Sequence, residues 1–307
     1  MLAWQAAAAI SLVAILVGAA RLVPGSPFAT RPATGAQAPA ATGEHVISAT
    51  PTPSATPALT ASPPGLPPLQ FRSTTLTVKT EGFFSWALMD RRTGEIWGST
   101  NMNATTWPAS MIKAWLVADD LRRLAETKQT PGAARLRDLE SVIRNSDNNL
   151  AEATYVRNGR SASINRLISR CKLTDTRASS AGWSFTNISA RDTVRMADCI
   201  GDGTAAGPTW TDWVLDKMRR VRVGDFGIRK ALPTAEAAKV SIKNGWLYYY
   251  DDHNWHINCM AVTETWAMSV LQRYPGHGRW NSDYAYGQNV CREVAKQLIN
   301  PDYPSGG

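Results

Sequence analysis

Charged side chains are nearly absent from the first 70 residues of this 307-residue chain, which contain only Arg21, Arg31 and Glu44. No run of Lys or Arg is longer than two residues, so the formal net charge of +8 is too diffuse to indicate a nucleic-acid partner. The remaining 237 residues carry 31 basic against 24 acidic side chains, and the whole chain contains twelve Trp and 44% hydrophobic residues. This composition excludes a disordered protein and predicts a folded region that can bury a substantial core.

Cysteine and histidine are also scarce, with four of each in the chain. No C-x-x-C pair occurs and the histidines do not flank the cysteines at zinc spacing, so we expect no metal and no other cofactor. Four cysteines suit an oxidising compartment and can pair in three ways. Their order along the chain favours bridges between Cys171 and Cys199 and between Cys259 and Cys291.

Residues 2–20 form a hydrophobic run without a charged side chain. As a helix this run would be roughly 28 Å long, about the thickness of a bilayer core. That length favours an uncleaved membrane anchor, whereas Val17, Gly18 and Ala19 also suit the cleavage site of a secretion signal. Both alternatives predict export. A lipoprotein is not expected, because the first cysteine is Cys171 and none follows the hydrophobic run.

The next segment, residues 24–70, is rich in Pro, Ala, Thr, Ser and Gly. Such a composition cannot bury a core, and its prolines keep the chain extended. The sequence therefore predicts a signal or anchor over residues 1–23, a disordered linker over 24–70 and one folded domain over 71–307. We expect that domain to be a monomer outside the cytoplasm, either tethered to the membrane or secreted into the cell envelope.

Strand patterns occur at both ends of the folded region, and helical patterns occupy its middle. The predicted strands are 83–89, which forms a hairpin with Ile96 and Trp97, then 239–242, 255–263 and 266–272. The predicted helices are 110–126, 135–144, 150–158, 163–172, 189–199 and 283–299. Because the terminal strands must pair across the helical segment, we expect an α+β fold with an antiparallel sheet flanked by helices.

Three short motifs follow one another in this region. Ser110 and Lys113 form an S-x-x-K motif at the predicted start of the first long helix. The triplet Ser-Asp-Asn at 146–148 lies in a turn, and Lys-Asn-Gly at 243–245 lies on a returning strand. A second S-x-x-K match, at 169–172, lies at the end of a helix, where no backbone N–H groups are free. Three motifs in order, each in a suitable context, are far more specific than any one alone.

On these motifs, roughly residues 83–299 resemble the superfamily of serine β-lactamases and penicillin-binding D,D-peptidases, whose motif set is S-x-x-K, S-D-N and K-T-G. The closest likeness is to class A-like exported serine hydrolases of actinobacteria. The resemblance implies a serine hydrolase with a β-lactamase/transpeptidase-like fold. Its active-site serine would form an acyl-enzyme with β-lactams or with D-Ala-D-Ala ends of peptidoglycan.

The resemblance also implies a role for each motif residue. Ser110 would be the nucleophile and Lys113, one helical turn away, its base, provided that burial or a nearby cation lowers the pKa of the amine. Ser146 would relay a proton to the leaving nitrogen, and Lys243 would attract the substrate carboxylate. Backbone N–H groups of Ser110 and Trp246 would form the oxyanion hole. The implied substrate-binding residues are Asn148, Asn244, Gly245 and Trp246.

Two departures from the family pattern bear on function. Asn244 replaces the usual Thr or Ser of K-T-G. No Glu occurs between Glu152 and Glu236, where the water-activating glutamate of class A enzymes would fall, and the nearest acids are Asp175 and Asp192. We therefore expect acylation of Ser110 followed by slow deacylation.

Two other interpretations account for part of the sequence. A non-catalytic binding protein of the cell envelope that retains the fold would explain Asn244 and the missing glutamate. A Ser–His–Asp hydrolase would need His253, His256 or His277 beside an activated serine, and the chain has no G-x-S-x-G motif. The aromatic stretch 246–255 is expected to form the rim of a hairpin with His253 and His256, and glycan contact is its alternative role.

Overall fold

A computed structural model of the protein describes residues 76–300. The predicted signal or anchor segment and the predicted linker lie outside the described residues, as do residues 71–75 and 301–307. Within the described range, every helix is too short or too polar to span a bilayer.

Strands occur at both ends of the described range and helices mainly between them. The strands are β1 Phe83–Asp90, β2 Ile96–Gly98, β3 Thr105–Thr106, β4 Ile188–Ser189, β5 Ser241–Ile242, β6 Gly245–Tyr249, β7 Asn254–Val262 and β8 Trp266–Pro275. The α-helices are α1 Lys113–Glu126, α2 Ala133–Arg144, α3 Asn148–Arg157, α4 Ser161–Arg170, α5 Ala190–Gly201, α6 Thr211–Arg219, α7 Thr234–Ala237 and α8 Trp280–Leu298. Short 3-10 helices lie at Ala109–Ile112, Trp183–Phe185 and Ile228–Ala231.

The main sheet is antiparallel, in the order β2-β1-β8-β7-β5, with β6 also paired to β7. Strand β1 pairs with β8 along its whole length, from Phe83 opposite Arg273 to Asp90 opposite Trp266. Strands from the two ends of the domain therefore meet across the helical segment, which confirms the predicted α+β fold.

Helices cover both faces of this sheet. Alternate residues of a strand point to opposite faces. On β8, the Ser269 hydroxyl donates to the Ala190 carbonyl at the start of α5, whereas Gln272 and Tyr274 donate to carbonyls of α8. The central strands are thus enclosed between α5 and α8, which makes β7 a rigid base for the strand that pairs with it.

Helix α1 is buried on nearly all sides. Its Asp119 and Asp120 are also buried. Arg166 and Arg135 each pair with one of these carboxylates, at 2.6 and 2.7 Å, which offsets the cost of removing the charges from water. The helix that carries Lys113 is therefore held in place by both apolar packing and ion pairs.

His256 is the clearest correction to the sequence-based picture. It is buried on β7, not exposed at a rim as predicted, and its ring stacks on Trp107 with 5.1 Å between centroids. Its two ring nitrogens form hydrogen bonds with Thr106 Oγ1 at 3.1 Å and with Asp252 Oδ2 at 2.9 Å. His253 is exposed in the tight turn before β7, as expected for a rim residue.

Both favoured disulfide pairings are present, Cys171–Cys199 and Cys259–Cys291. Cys259 lies on β7 and Cys291 on α8, so this bridge joins the helix to the central sheet. The other bridge joins the end of α4 to α5.

We expect replacement of Cys259 and Cys291 by Ala to lower the free energy of unfolding by about 2–5 kcal/mol, because the bridge restricts the unfolded chain. Urea denaturation of the purified domain measures this loss. Thiol titration of the denatured, non-reduced protein should find no free thiol. Four titratable thiols would contradict the expectation.

Candidate active site

Ser110 lies in the 3-10 turn Ala109–Ile112, which runs directly into α1 at Lys113. The residue before it, Ala109, has a φ of 49°, a left-handed conformation that residues other than glycine rarely adopt. Ser146 has a φ of 57°. Backbone strain of this kind is concentrated at functional sites, where surrounding structure must hold it.

Gly245 is required by a close approach between β6 and this turn. A Cβ atom at position 245 would lie 2.0 Å from the Pro108 carbonyl oxygen and 3.0 Å from the Ser110 nitrogen. Only glycine therefore lets the start of β6 lie directly against the serine. This contact explains the glycine of the third motif and places the Ser110 amide beside the edge of the sheet.

The Lys113 side chain is fully buried and bonded to the second motif. Its Nζ donates to the Ser146 carbonyl at 2.5 Å, to Asn148 Oδ1 at 2.6 Å and to Ser146 Oγ at 3.3 Å. Burial lowers the pKa of Lys113 from 10.5 to about 8, against an opposing effect of the Asp147 carboxylate. The sequence predicts an amine within reach of Ser110, but within residues 76–300 the hydrogen bonds of this amine go to residues 146 and 148.

Lys243 approaches the same hydroxyl from the sheet. Its Nζ donates to Ser146 Oγ at 3.0 Å and to the Asn244 carbonyl at 3.1 Å, and the side chain is fully buried. Burial holds the pKa of Lys243 well below its usual value, and the nearby charge of Lys113 lowers it further. Ser146 thus links two buried amines, one from a helix and one from a strand.

Asn244 is placed differently from the substrate contact that the sequence predicts. Its Nδ2 donates to the carbonyls of Gly224 and Phe226, at 2.9 and 2.8 Å, and its Oδ1 accepts from the Met260 amide at 3.3 Å. The side chain is buried and lines neither cavity beside Ser110. We therefore interpret Asn244 as a residue that positions the strand, because its amide group is fully occupied by backbone partners.

Two cavities border Ser110, with Asn148 and Trp246 in the walls of both. The first, here called the aromatic cavity, has a volume of about 240 Å³. Its wall contains Ser146 and the aromatic residues Trp246, Tyr248, Trp255, Trp280 and Tyr284. Residues of the predicted aromatic rim therefore form one side of the pocket that contains the serine.

The second cavity, here called the Glu152 cavity, has a volume of about 320 Å³ and reaches the Trp183 turn. Sequence reasoning missed both Glu152 and Trp183. Glu152 lies four residues after Asn148 on α3, a spacing that places two side chains on one helix face and could have identified it. The Trp183 ring lies 5.0 Å from Lys113 Nζ, which gives that amine a cation–π contact in addition to its hydrogen bonds.

The two aspartates nearest in sequence to the expected position of the class A glutamate lie away from Ser110. Asp175 pairs with Arg191 at 2.7 Å and accepts from the Ser189 hydroxyl at 2.7 Å. Asp192 is buried in the first turn of α5, where it accepts the backbone N–H groups of residues 174–176. Neither side chain lines a cavity that borders Ser110.

Comparison with known sequences adds a family assignment. The model of the beta-lactamase enzyme family matches residues 127–300, which include the second and third motifs. Proteins of Mycobacterium tuberculosis and Mycobacterium bovis that bear the lipoprotein name LppW are 30% identical over 171 residues, covering 53% of this chain. The chain spans about half the length of these curated relatives, 54% of each.

Solved structures of beta-lactamases share the fold. The TLA-1 extended-spectrum beta-lactamase superposes with a TM-score of 0.58 at 13% identity, covering 72% of this chain and 94% of that one. A class A beta-lactamase from Mycobacterium abscessus has a TM-score of 0.55 at 15% identity, covering 70% and 93%. A beta-lactamase from Chitinophaga pinensis has a TM-score of 0.56 at 16% identity, covering 70% and 92%.

Because the identities are so low, these structures show only that the fold is shared. The family model covers more than half of the chain and therefore shows the family. The strand order, the paired ends of the sheet and the contacts that join the three motifs agree with it. The chain belongs to the beta-lactamase enzyme family.

Proposed function

We propose that the protein is an exported serine hydrolase that forms an acyl-enzyme at Ser110 with β-lactams or D-Ala-D-Ala-type peptidoglycan ends. One observation carries the proposal: the Ser146 hydroxyl accepts hydrogen bonds from two buried amines, Lys113 and Lys243, in the wall of a cavity that also contains Ser110. A structural role does not need two buried lysines on one hydroxyl, since burying each amine is costly.

In the acylation step, Ser110 Oγ attacks the substrate carbonyl while its proton passes to a basic amine. Lys113 suits that role because a pKa of about 8 gives it a neutral population near physiological pH. Ser146, bonded to both amines, would carry the proton on to the leaving nitrogen. Lys243 would attract the substrate carboxylate, because a carboxylate beside it favours the charged form of the amine.

The carbonyl oxygen becomes negatively charged as Ser110 attacks. The Ser110 amide lies in the first turn of its helix, where N–H groups have no acceptor within the helix, and Gly245 brings the edge strand against it. With the Trp246 amide it would form the oxyanion hole. Asn148 and Trp246 line both cavities and are the proposed contacts for the rest of the substrate.

Export is part of the proposal. The two disulfides favour an oxidising compartment, and relatives bearing a lipoprotein name point to the cell envelope. We propose that residues 1–23 direct export as a signal or an anchor and that residues 24–70 act as a tether.

A burst assay with a chromogenic cephalosporin tests this function. We expect a first turnover stoichiometric with protein, then a steady rate about 10²–10⁴-fold slower, because neither Asp175 nor Asp192 lines a cavity that borders Ser110. Intact mass should show the covalent adduct during the slow phase.

Rapid turnover without an accumulating adduct would contradict slow deacylation but leave the serine mechanism in place. No labelling by any penicillin, with no hydrolysis, would overturn the enzyme assignment. That result would favour a non-catalytic binding protein of the cell envelope.

A further inference from the structure

We propose that Glu152 is the base that activates water for release of the acyl group from Ser110, an inference that rests on the proposed function. Its carboxylate lines the Glu152 cavity together with Ser110 and Asn148. Among residues 76–300, it is the one acidic side chain in the walls of the two cavities that border the serine. The Glu152 side chain and the acylated serine would therefore border the same cavity.

The fold holds Glu152 in this position from two sides. Helix α3 begins at Asn148, with the Asp147 side chain accepting the Leu150 amide as its N-cap, so the face carrying residues 148 and 152 has a defined direction. The indole N–H of Trp183 then donates to Glu152 Oε2 at 3.0 Å. Since the Trp183 ring also contacts Lys113, the carboxylate is tied to the same group of side chains as the amine.

Solvent can also reach this carboxylate. The Glu152 side chain is 49% exposed, and Arg160 contacts its other oxygen, Oε1, at 3.2 Å. Each oxygen of a carboxylate can accept more than one hydrogen bond, so these contacts leave sites for water. Because the side chain is half exposed, water at these sites exchanges with bulk solvent. This exchange agrees with the expectation that deacylation is slower than acylation.

Release of the acyl group consumes one water molecule. Water attacks the acyl carbon with its oxygen while Glu152 accepts one of its protons. The ester bond from that carbon to Ser110 Oγ breaks, and Glu152 returns the proton to the departing oxygen. The product is a free carboxylic acid, Ser110 regains its hydroxyl, and no other reactant is required.

The test is the lifetime of a penicillin adduct in the full chain, followed by intact mass. We expect Glu152→Gln, which keeps the shape of the side chain, to prolong the adduct by about 10²–10⁴-fold, the range typical for loss of a general base. Glu152→Asp keeps the acid on a shorter side chain and should give an intermediate lifetime. The matched control is Glu293→Gln, a partly exposed glutamate paired with Arg292 at 3.4 Å on α8, which should leave the lifetime unchanged.

The pH dependence of adduct decay separates catalysis from a structural effect. A loss of decay rate at acid pH, here called the acid limb, should be shared by the wild type and Glu152→Asp and be absent in Glu152→Gln, which has no acid group. A Glu152→Gln adduct that decays at the wild-type rate with the acid limb intact would overturn the role of Glu152 and leave the acyl-enzyme standing. Absence of both an adduct and hydrolysis in the wild type would instead overturn the proposed function, and this role with it.

Discussion

Ser110→Ala is expected to reduce acylation by β-lactams roughly 10³-fold or more, because no other group in the mechanism can form the covalent bond. The domain should stay folded. Within residues 76–300 the Ser110 hydroxyl makes no hydrogen bond and does not cap its helix, so the free energy of unfolding should change by no more than about 1 kcal/mol. Labelling by a fluorescent penicillin, with urea denaturation beside it, measures both quantities.

The chain contains a matched control for this experiment. Ser169 belongs to the second S-x-x-K match, but it lies at the C-terminal end of α4, where its hydroxyl donates to the Arg166 carbonyl. Ser169→Ala should be labelled like the wild type. Undiminished labelling of Ser110→Ala would show that another residue is the nucleophile.

Lys113→Ala is expected to slow acylation by about 10²–10⁴-fold, since the serine then lacks its base. In the wild type, the acylation rate should rise as pH increases through about 8, because the neutral amine that accepts the proton is populated above its pKa. The variant should lose this rise. Stopped-flow measurement of the acylation rate between about pH 6 and 10, on the wild type and on the variant, tests both statements.

Two further variants make the result for Lys113 interpretable. Lys172→Ala removes the exposed lysine of the second S-x-x-K match and should acylate like the wild type. Lys113→Met fills more of the space of the lysine side chain than Lys113→Ala does. If both variants lose activity, the loss comes from the missing amine and not only from a cavity. If Lys113→Ala acylates at the wild-type rate with the same pH dependence, the base is wrongly assigned, and Lys243 becomes the candidate because it bonds the same Ser146 hydroxyl.

Local patterns in the sequence were sufficient for most of the longer elements and for the disulfide pairing, whereas the helices α6 and α7 and the short strands β3 and β4 were not predicted. The hairpin at β1 and β2, the long helix from Lys113 and the last helix all follow from the spacing of apolar residues, which reflects burial along a single element. Ser189 caps α5 by accepting the Asp192 amide, a contact between residues three apart. The three motifs likewise identified residues that the fold brings to one hydroxyl and one pocket.

Contacts between distant elements required the tertiary structure. The bonds that join Ser146 to Lys113 and to Lys243 span 33 and 97 positions, so their partners depend on how helix, turn and strand pack together. Whether Asn244 faces substrate or the backbone of the 224–226 loop depends on the same packing. Motif identity contains no information about that orientation.

The sequence by itself therefore determined the fold class, the cysteine pairs and the set of residues available for chemistry, because each follows from periodicity, order or residue type. The tertiary structure alone decided which side chains share a cavity. It buried His256 between Trp107 and Asp252, turned Asn244 away from the serine and brought Glu152 to its pocket. The physical reason is that hydrogen-bond partners and solvent access are properties of packed surfaces, to which residues from several elements contribute.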